Sequence, residues 1–484
     1  MPLVLALDQG TTGSTALVID AAGRALGRGY RELPQHFPRP GWVEHDPEEI
    51  WAVTLTAARE ALGNARVSRK DVAAIGITNQ RETAILWDRK TGAPLHPAIV
   101  WQDRRTAERC RQLDRAMIGE TTGLVPDPYF SATKVEWLLQ ELGRPKNAAF
   151  GTVDSWLVHK LTKGRAHVTD PTNASRTMLF NIEKHAWDAE LLELFGVAPE
   201  LLPEVRTSSG TFGIADAEWF GHEVPILGVA GDQQAALFGQ GCTEPGTAKN
   251  TYGTGAFMLL NTGSRRIRST SGMLTTVACD ERGGACYALE GSVFIAGAAV
   301  QWLRDGLGLI VQAKETEQLA RSVPDTAGVV FVPALVGLGA PHWEAEARGA
   351  VFGLTRGATK AHLVRATLEA MAYSMREVLG AMTQDAGMPL AELKVDGGAA
   401  ANDWLMQMQA DVLGVPVRRP DLVETTALGA AGLAGLAAGI WPTTKAFLAA
   451  RQYREFTPGE PREAGWAAWN RAIRATLGWA RDGA

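Results

Sequence analysis

Two short stretches of this sequence place glycine and threonine where a polyphosphate could be gripped. They are Asp8-Gln9-Gly10-Thr11-Thr12-Gly13 and Tyr252-Gly253-Thr254-Gly255. Glycine lets backbone N–H groups approach an anion closely, and threonine hydroxyls add donors. Asp8, at the end of an apolar run, can hold a water-shelled Mg2+ beside the phosphates. Taken alone, either stretch reads equally well as an ordinary β-hairpin turn. A third segment, Val395-Asp396-Gly397-Gly398-Ala399-Ala400-Ala401-Asn402-Asp403, follows an apolar strand and starts a helix. A helix N-terminus with glycine before it suits a nucleotide's sugar or α-phosphate. The three together point to a nucleotide clamped from two sides. Asp232 ends another apolar run, directly after Gly231. A carboxylate there can accept the proton of an attacking hydroxyl, the general-base role in phosphoryl transfer. It can also simply cap the helix begun by Gln233-Gln234-Ala235-Ala236. Phosphoryl transfer rests on positioning and charge neutralisation, so no enzyme nucleophile is required, and none is evident. There is no Gly-x-x-x-x-Gly-Lys-Ser/Thr loop, no Gly-x-Gly-x-x-Gly after a strand, no Gly-x-Ser-x-Gly elbow and no His-Glu-x-x-His.

The elements that must carry these groups are legible in outline. Val4 to Leu7 reads as a strand buried on both faces and ended by Asp8, and Ala16 to Ile19 as the strand returning after the turn. Glu48 to Leu62 has helical periodicity. Ala73 to Thr78 reads as a strand delivering Asn79-Gln80-Arg81-Glu82-Thr83, and Pro225 to Ala230 as one delivering Asp232. The second hairpin, with its apolar return Ala256 to Leu260, echoes the first. The expected fold is therefore α/β, with two similar halves joined near Glu244-Pro245-Gly246: residues 1–245 and residues 246–484. The Gly- and Ala-rich run Ala427 to Trp441 is too short to span a bilayer and reads as a closely packed core helix. The chain from about Arg451 is expected to be helical, with Trp466, Trp469 and Trp479 packed against the second half.

The bulk properties exclude several classes. A chain of 484 residues exceeds one hydrophobic core, and its net charge of -5 offers no field for nucleic acid or anionic membrane. The four cysteines, Cys110, Cys242, Cys279 and Cys286, have neither zinc-site spacing nor a disulfide pattern. The N-terminus lacks a basic region ahead of its apolar run, so a cytoplasmic protein without membrane insertion is expected.

Longer matches make the resemblance specific. The set of turns resembles the actin-like (ribonuclease H-like) ATPase architecture, and in particular the FGGY carbohydrate kinase family. Phe130-Ser131-Ala132-Thr133-Lys134-Val135-Glu136-Trp137-Leu138 is similar to that family's first signature. Gly349-Ala350-Val351-Phe352-Gly353-Leu354 through His362-Leu363-Val364-Arg365-Ala366-Thr367-Leu368-Glu369 is similar to its second. Asn79 to Thr83, Gly231-Asp232-Gln233-Gln234-Ala235-Ala236-Leu237-Phe238-Gly239 and Lys249-Asn250-Thr251-Tyr252-Gly253-Thr254-Gly255 resemble the wording of members that phosphorylate glycerol. The resemblance implies two actin-like domains with the active site between them, and ATP-dependent formation of sn-glycerol 3-phosphate. It also implies ATP and Mg2+ as cofactors, and a homodimer or homotetramer.

By the same resemblance, Arg81, Glu82, Tyr129, Asp232 and Gln233 bind glycerol, Trp101 and Phe257 wall its carbon backbone, and Asp232 is the base. Arg81 and Glu82 would otherwise read as a solvated pair, and Tyr129, Trp101 and Phe257 as core. Thr11, Thr12, Gly13, Thr254, Gly297, Gln301, Gly398 and Asn402 are expected to hold ATP, and Asp8 with Asp232 to face Mg2+. The chain departs from the pattern in three places. Thr15 replaces an arginine that would contact phosphates. Glu218 stands where some relatives carry a regulatory histidine, with His222 displaced, so phosphotransfer control there is not expected. Thr207 to Gly221 lacks the loop associated with fructose bisphosphate inhibition, and no loss of activity is expected on adding that metabolite. The rival readings are a family kinase for another polyol or sugar, and an actin-like ATPase acting as a binding module; ADP release stimulated by an acceptor separates the kinases from the module.

Overall fold

The apolar run at the N-terminus forms a strand because both of its faces are covered. In the computed structural model, which describes residues 2–482, this strand is β1 (Leu3–Gln9). It reaches past Asp8 because Asp8 and Gln9 still pair with Thr78 and Asn79 on one side and with Thr15 and Ser14 on the other. The remaining strands of the first sheet are β2 (Gly13–Ile19), β3 (Ala25–Glu32), β4 (Val72–Asn79), β5 (Ser209–Ala215) and β6 (Val224–Gly231), in the order β5-β6-β4-β1-β2-β3. Helix α1 (Pro47–Ala65), capped by Asp46, covers one face; Gly27 and Gly29 let β3 meet it at backbone distance.

The second sheet contains β7 (Ala248–Tyr252), β8 (Ala256–Gly263), β9 (Leu274–Cys279), β10 (Ala285–Val293), β11 (Leu393–Asp396), β12 (Val417–Pro420) and β13 (Tyr453–Phe456). Its order is β9-β10-β8-β7-β11-β12-β13. In each sheet an antiparallel hairpin (β1–β2, β7–β8) is followed by a strand parallel to its first arm (β4, β11). These are two α/β domains of actin-like type, each a central sheet flanked by helices.

The cleft between the sheets is built around two helices. Helix α2 (Asp232–Gly239) follows β6 directly. The Gly- and Ala-rich segment forms α3 (Thr425–Ala437), buried along most of its length. Although it comes from beyond residue 246, α3 packs on β1, β4 and β6 and on α2. Its Ala427, Leu428, Ala431 and Ala434 share one core with Val4, Ala6, Leu17 and Ala74. Glycines make this contact possible: a Cβ on Gly429 would lie 1.8 Å from the Ala235 carbonyl oxygen, and one on Gly76 would lie 2.2 Å from that of Ala430. Both obstacles are backbone and cannot rotate away.

Gly429→Val is therefore expected to destabilise at the upper end of the range for overpacking, about 3 kcal/mol, read as a fall in the urea midpoint. Gly380→Ala, where an added Cβ meets nothing within 4 Å, is expected to gain about 1 kcal/mol from helix propensity. Equal melts for the two variants would show that α3 does not need its close approach.

The C-terminal segment differs from the sequence reading. Tyr453–Phe456 is an edge strand paired with β12, and the helix spans only Glu463–Asp482. Pro458 and Pro461 stand between the two, and proline cannot donate to a helix interior. Trp469 is buried and stacks on Tyr373, and Trp466 lies against the same ring. Trp479 points outward, 77% exposed. No helix among the described residues is long and apolar enough to cross a membrane.

Candidate active site

Both glycine-threonine turns are tight hairpins at the mouth of the cleft. The Gly10 N–H donates to the Gly13 carbonyl at 2.9 Å, and the Gly253 N–H to the Gly255 carbonyl at 2.8 Å. A Cβ on Gly13 would lie 2.5 Å from the Arg31 carbonyl oxygen, so only glycine lets β2 leave the turn in this register. The second turn is braced from behind by the helix Gly297–Gln301. The Ala296 and Ala298 N–H groups donate to the Thr254 carbonyl at 2.8 and 3.0 Å, and the Gly297 N–H to that of Gly253 at 3.0 Å.

Two cavities meet at this second turn. One, of about 450 Å3, is lined by Asp8, Thr11, Thr12, Arg81, Glu82, Trp101, Tyr129, Asp232, Gln233, Thr254 and Phe257. The other, of about 480 Å3, is lined by Gly297, Gln301, Gly398 and Asn402, with Lys314 and Arg304. Gly253, Thr254 and Gln301 belong to both. The structure thus brings all the expected site residues to these two chambers except Gly13, which is buried at the base of its hairpin. Asn402 also caps the helix Asp403–Leu413, accepting the Leu405 N–H at 3.0 Å.

The floor of the first chamber is a buried ionic lattice. Arg81 is 2% exposed. Its Nε lies 3.1 Å from Asp232 Oδ1, and its two Nη atoms donate to Glu290 at 2.7 and 2.9 Å. It also donates to Gln234 Oε1 at 3.2 Å and to the Tyr129 hydroxyl at 3.3 Å. Glu82 adopts a left-handed backbone, φ 62°, a conformation that costs a non-glycine residue about 1–3 kcal/mol. Arg176 donates from Nε to Glu82 Oε1 at 2.6 Å and lies over the ring faces of Tyr129 and Phe130. Burial opposes ionisation of Glu290, but Arg176 and Arg81 outweigh it and hold its carboxyl down at about 2. Trp101, Tyr129 and Phe257 form an aromatic wall, and the Trp101 indole N–H ties it to the first hairpin through Thr11 Oγ1 at 2.8 Å.

Asp232 is the first residue of α2, whose cap is Gly231; its Oδ1 accepts only the neighbouring Gln233 N–H at 2.7 Å within the helix. The side chain is 30% exposed, toward the chamber. Asp8 stands across from it. Burial, and after it repulsion from Asp232, Glu424 and Asp396, pushes the Asp8 carboxyl up to about 7. Such mutual repulsion is what a bound cation would relieve. Among the described residues no three His, Cys, Asp or Glu side chains converge closely enough to ligate a metal directly. Among the described residues Arg81 is the one cation lining the first chamber; Arg304 and Lys314 line the second. Glu218 pairs with Lys163 at 2.5 Å, and the half-buried His222 ring lies 3.3 Å from the Val72 carbonyl.

Sequence reasoning did not single out Glu290, Arg176 or Lys249. Each is a charged residue inside an otherwise apolar or hydroxylated run, which is the one signal they carry. Lys249 donates to Gln233 Oε1 and, at 2.8 Å, to Thr251 Oγ1. Burial lowers its ammonium to about 8, against the pull of Asp396 and Asp232.

Comparison with known proteins places the chain in a family. Residues 3–239 match the FGGY family of carbohydrate kinases, N-terminal domain, and residues 248–438 the C-terminal domain of the same family. The glycerol kinase of Aromatoleum aromaticum is 56% identical over 493 residues, covering 99% of each chain. That of Xanthomonas campestris pv. campestris is 53% identical over 491 residues, covering 98% of each. The structure is also similar to that of Plasmodium falciparum glycerol kinase with ADP, with a TM-score of 0.89 and 36% identity over 99% of this chain and 98% of the other. With both of its domains matched in order over most of its length, the chain belongs to the FGGY family of carbohydrate kinases.

Proposed function

We propose that the protein transfers the γ-phosphoryl group of ATP to glycerol, giving sn-glycerol 3-phosphate and ADP. The observation that carries this is the position of Asp232. It is a partly exposed carboxylate at the junction of a chamber with a polar floor and an aromatic wall, facing two phosphate-type hairpins. A triol offers hydroxyls to Arg81, Glu82 and Gln233 and its carbon backbone to Trp101 and Phe257. Arg81, with Nε 3.1 Å from Oδ1, holds Asp232 turned toward the chamber, and Asp232 takes the proton of the attacking hydroxyl. The hairpin N–H groups and the hydroxyls of Thr11, Thr12 and Thr254 orient the phosphate tail, while Gly398 and Asn402 border the chamber for the adenosine. Asp8 and Asp232 would hold Mg2+ through its water shell, and the ion when bound neutralises phosphate charge. The aromatic wall shields the acceptor from water that would otherwise compete with it.

The test is Mg-ATP-dependent ADP release with glycerol, xylulose, ribulose, gluconate, erythritol or no acceptor. Strong turnover with glycerol alone is expected. Turnover with another acceptor moves the substrate, and acceptor-independent ADP release overturns the kinase reading. Within the site, Trp101→Ala removes both part of the wall and the tether to Thr11. It is expected to raise KM for glycerol by about tenfold, the worth of roughly two carbon atoms packed against a ring, with a smaller effect on kcat. An unchanged KM would place glycerol elsewhere.

A further inference from the structure

Two of the residues that face the acceptor chamber are held in place by the opposite domain. Arg81 follows β4 of the first sheet, yet both of its Nη atoms are bonded to Glu290 on β10 of the second. A bidentate pair of this kind fixes the plane of the guanidinium, and with it the direction of Nε toward Asp232. Gln233, on α2, accepts from Lys249 on β7. Glu290 and Lys249 are wholly buried and line neither chamber, so they do not touch substrate. Their strands lead to the nucleotide side. β7 runs from Lys249 into the Gly253–Gly255 turn, and β10 is followed by the helix from Gly297 that braces that turn.

We propose that Glu290 and Lys249 are positioning residues that couple the two chambers: a nucleotide settling on the second hairpin fixes β7 and β10, and through them Arg81 and Gln233 in the geometry that receives the acceptor. The inference rests on the glycerol kinase reading above. By linkage the effect is reciprocal, so acceptor binding tightens nucleotide binding by the same factor.

The experiment is calorimetric titration of glycerol into the full-length enzyme, with and without Mg2+ and a non-hydrolysable ATP analogue, for wild type, Lys249→Met and Glu290→Gln. In wild type the analogue is expected to tighten glycerol binding by a factor in the range of about 5–150. In both variants that factor is expected to fall to nearly one. KM for glycerol should rise while kcat at saturation of both substrates changes less. A purely structural role would lower the melting temperature and leave the factor of the folded molecules unchanged; that result overturns the proposal, as does a wild-type factor near one. If Glu290→Gln does not fold, Lys249→Met decides alone, since it removes no charge from the Arg81, Arg176, Glu82 and Glu290 set. Wild-type enzyme that neither binds glycerol nor releases ADP in its presence would instead overturn the functional reading itself.

Discussion

Asp232→Asn is expected to lower kcat for glycerol by about 10²–10⁴-fold, the usual contribution of a positioned general base, while glycerol binding and thermal stability change little. The variant keeps Oδ1, which is the atom that accepts the Gln233 N–H and faces Arg81. The helix does not depend on the carboxylate either, because Gly231 occupies the cap position. Arg81 loses one ionic neighbour but retains its bidentate bond to Glu290. What the substitution removes is the capacity to accept a proton. Rapid-quench measurement of the phosphoryl-transfer step, paired with glycerol titration and a melting curve, separates these effects. A transfer rate within tenfold of wild type would mean that the proton leaves by another route and that Asp232 serves position alone. A loss confined to glycerol affinity would assign it to binding.

The groups that line the two chambers are the legible part of this chain, and the buried groups behind them are not. The turns at Gly10–Gly13 and Gly253–Gly255 are contiguous, and their composition demands a hairpin. Asp232 directly follows an apolar strand, which marks its place at the rim of a sheet. Arg81 and Glu82 by residue type alone read as a solvated pair, and only the family resemblance points them to the site. Their burial depends on Glu290, 209 positions further along the chain, and on Arg176, 94 positions from Glu82. No local pattern encodes a partner at that distance. The same limit applies to α3. Its glycines and alanines announced close packing, but the sheet they pack against begins at Leu3, and only the folded chain shows that a helix from beyond residue 246 completes the first domain's core. The apolar run ends at Asp8, yet pairing with β2 and β4 carries the strand on through Asp8 to Gln9. Around Arg451 the sequence reads as helix where a four-residue edge strand forms: Tyr453-Arg454-Glu455-Phe456 has no period-two alternation to mark it, and only the neighbour it pairs with stabilises it.

Arg81→Met should show the largest combined effect of any single substitution in the site. It removes the donor that positions Asp232 and leaves Glu290, 0% exposed, with Arg176 as its close ion-pair partner and Lys249 farther off. Breaking one partner out of a buried pair costs about 3–5 kcal/mol, most of it the uncompensated charge left behind. The loss has a distinctive pH dependence. In wild type the Glu290 carboxyl is held at about 2, below its ordinary value of 4.5. Its contribution to stability is therefore fully present above pH 4.5 and disappears as pH falls toward 2. Without Arg81 the folded-state value rises, so the stability gap between wild type and variant should be widest at neutral pH and should close on acidification. Urea unfolding at several values between neutral and pH 3 reads that gap directly; parallel curves would show that Arg81 does not set the ionisation of Glu290. The double variant Arg81→Met/Glu290→Met separates charge from chemistry. It deletes one cation and one anion and leaves Arg176 paired with Glu82 at 2.6 Å, so the buried lattice stays neutral. Replacing a buried pair by apolar side chains of similar volume is often close to neutral in stability. The double variant should recover much of the lost stability at pH 7 and none of the lost turnover, because the guanidinium that positions Asp232 is still missing.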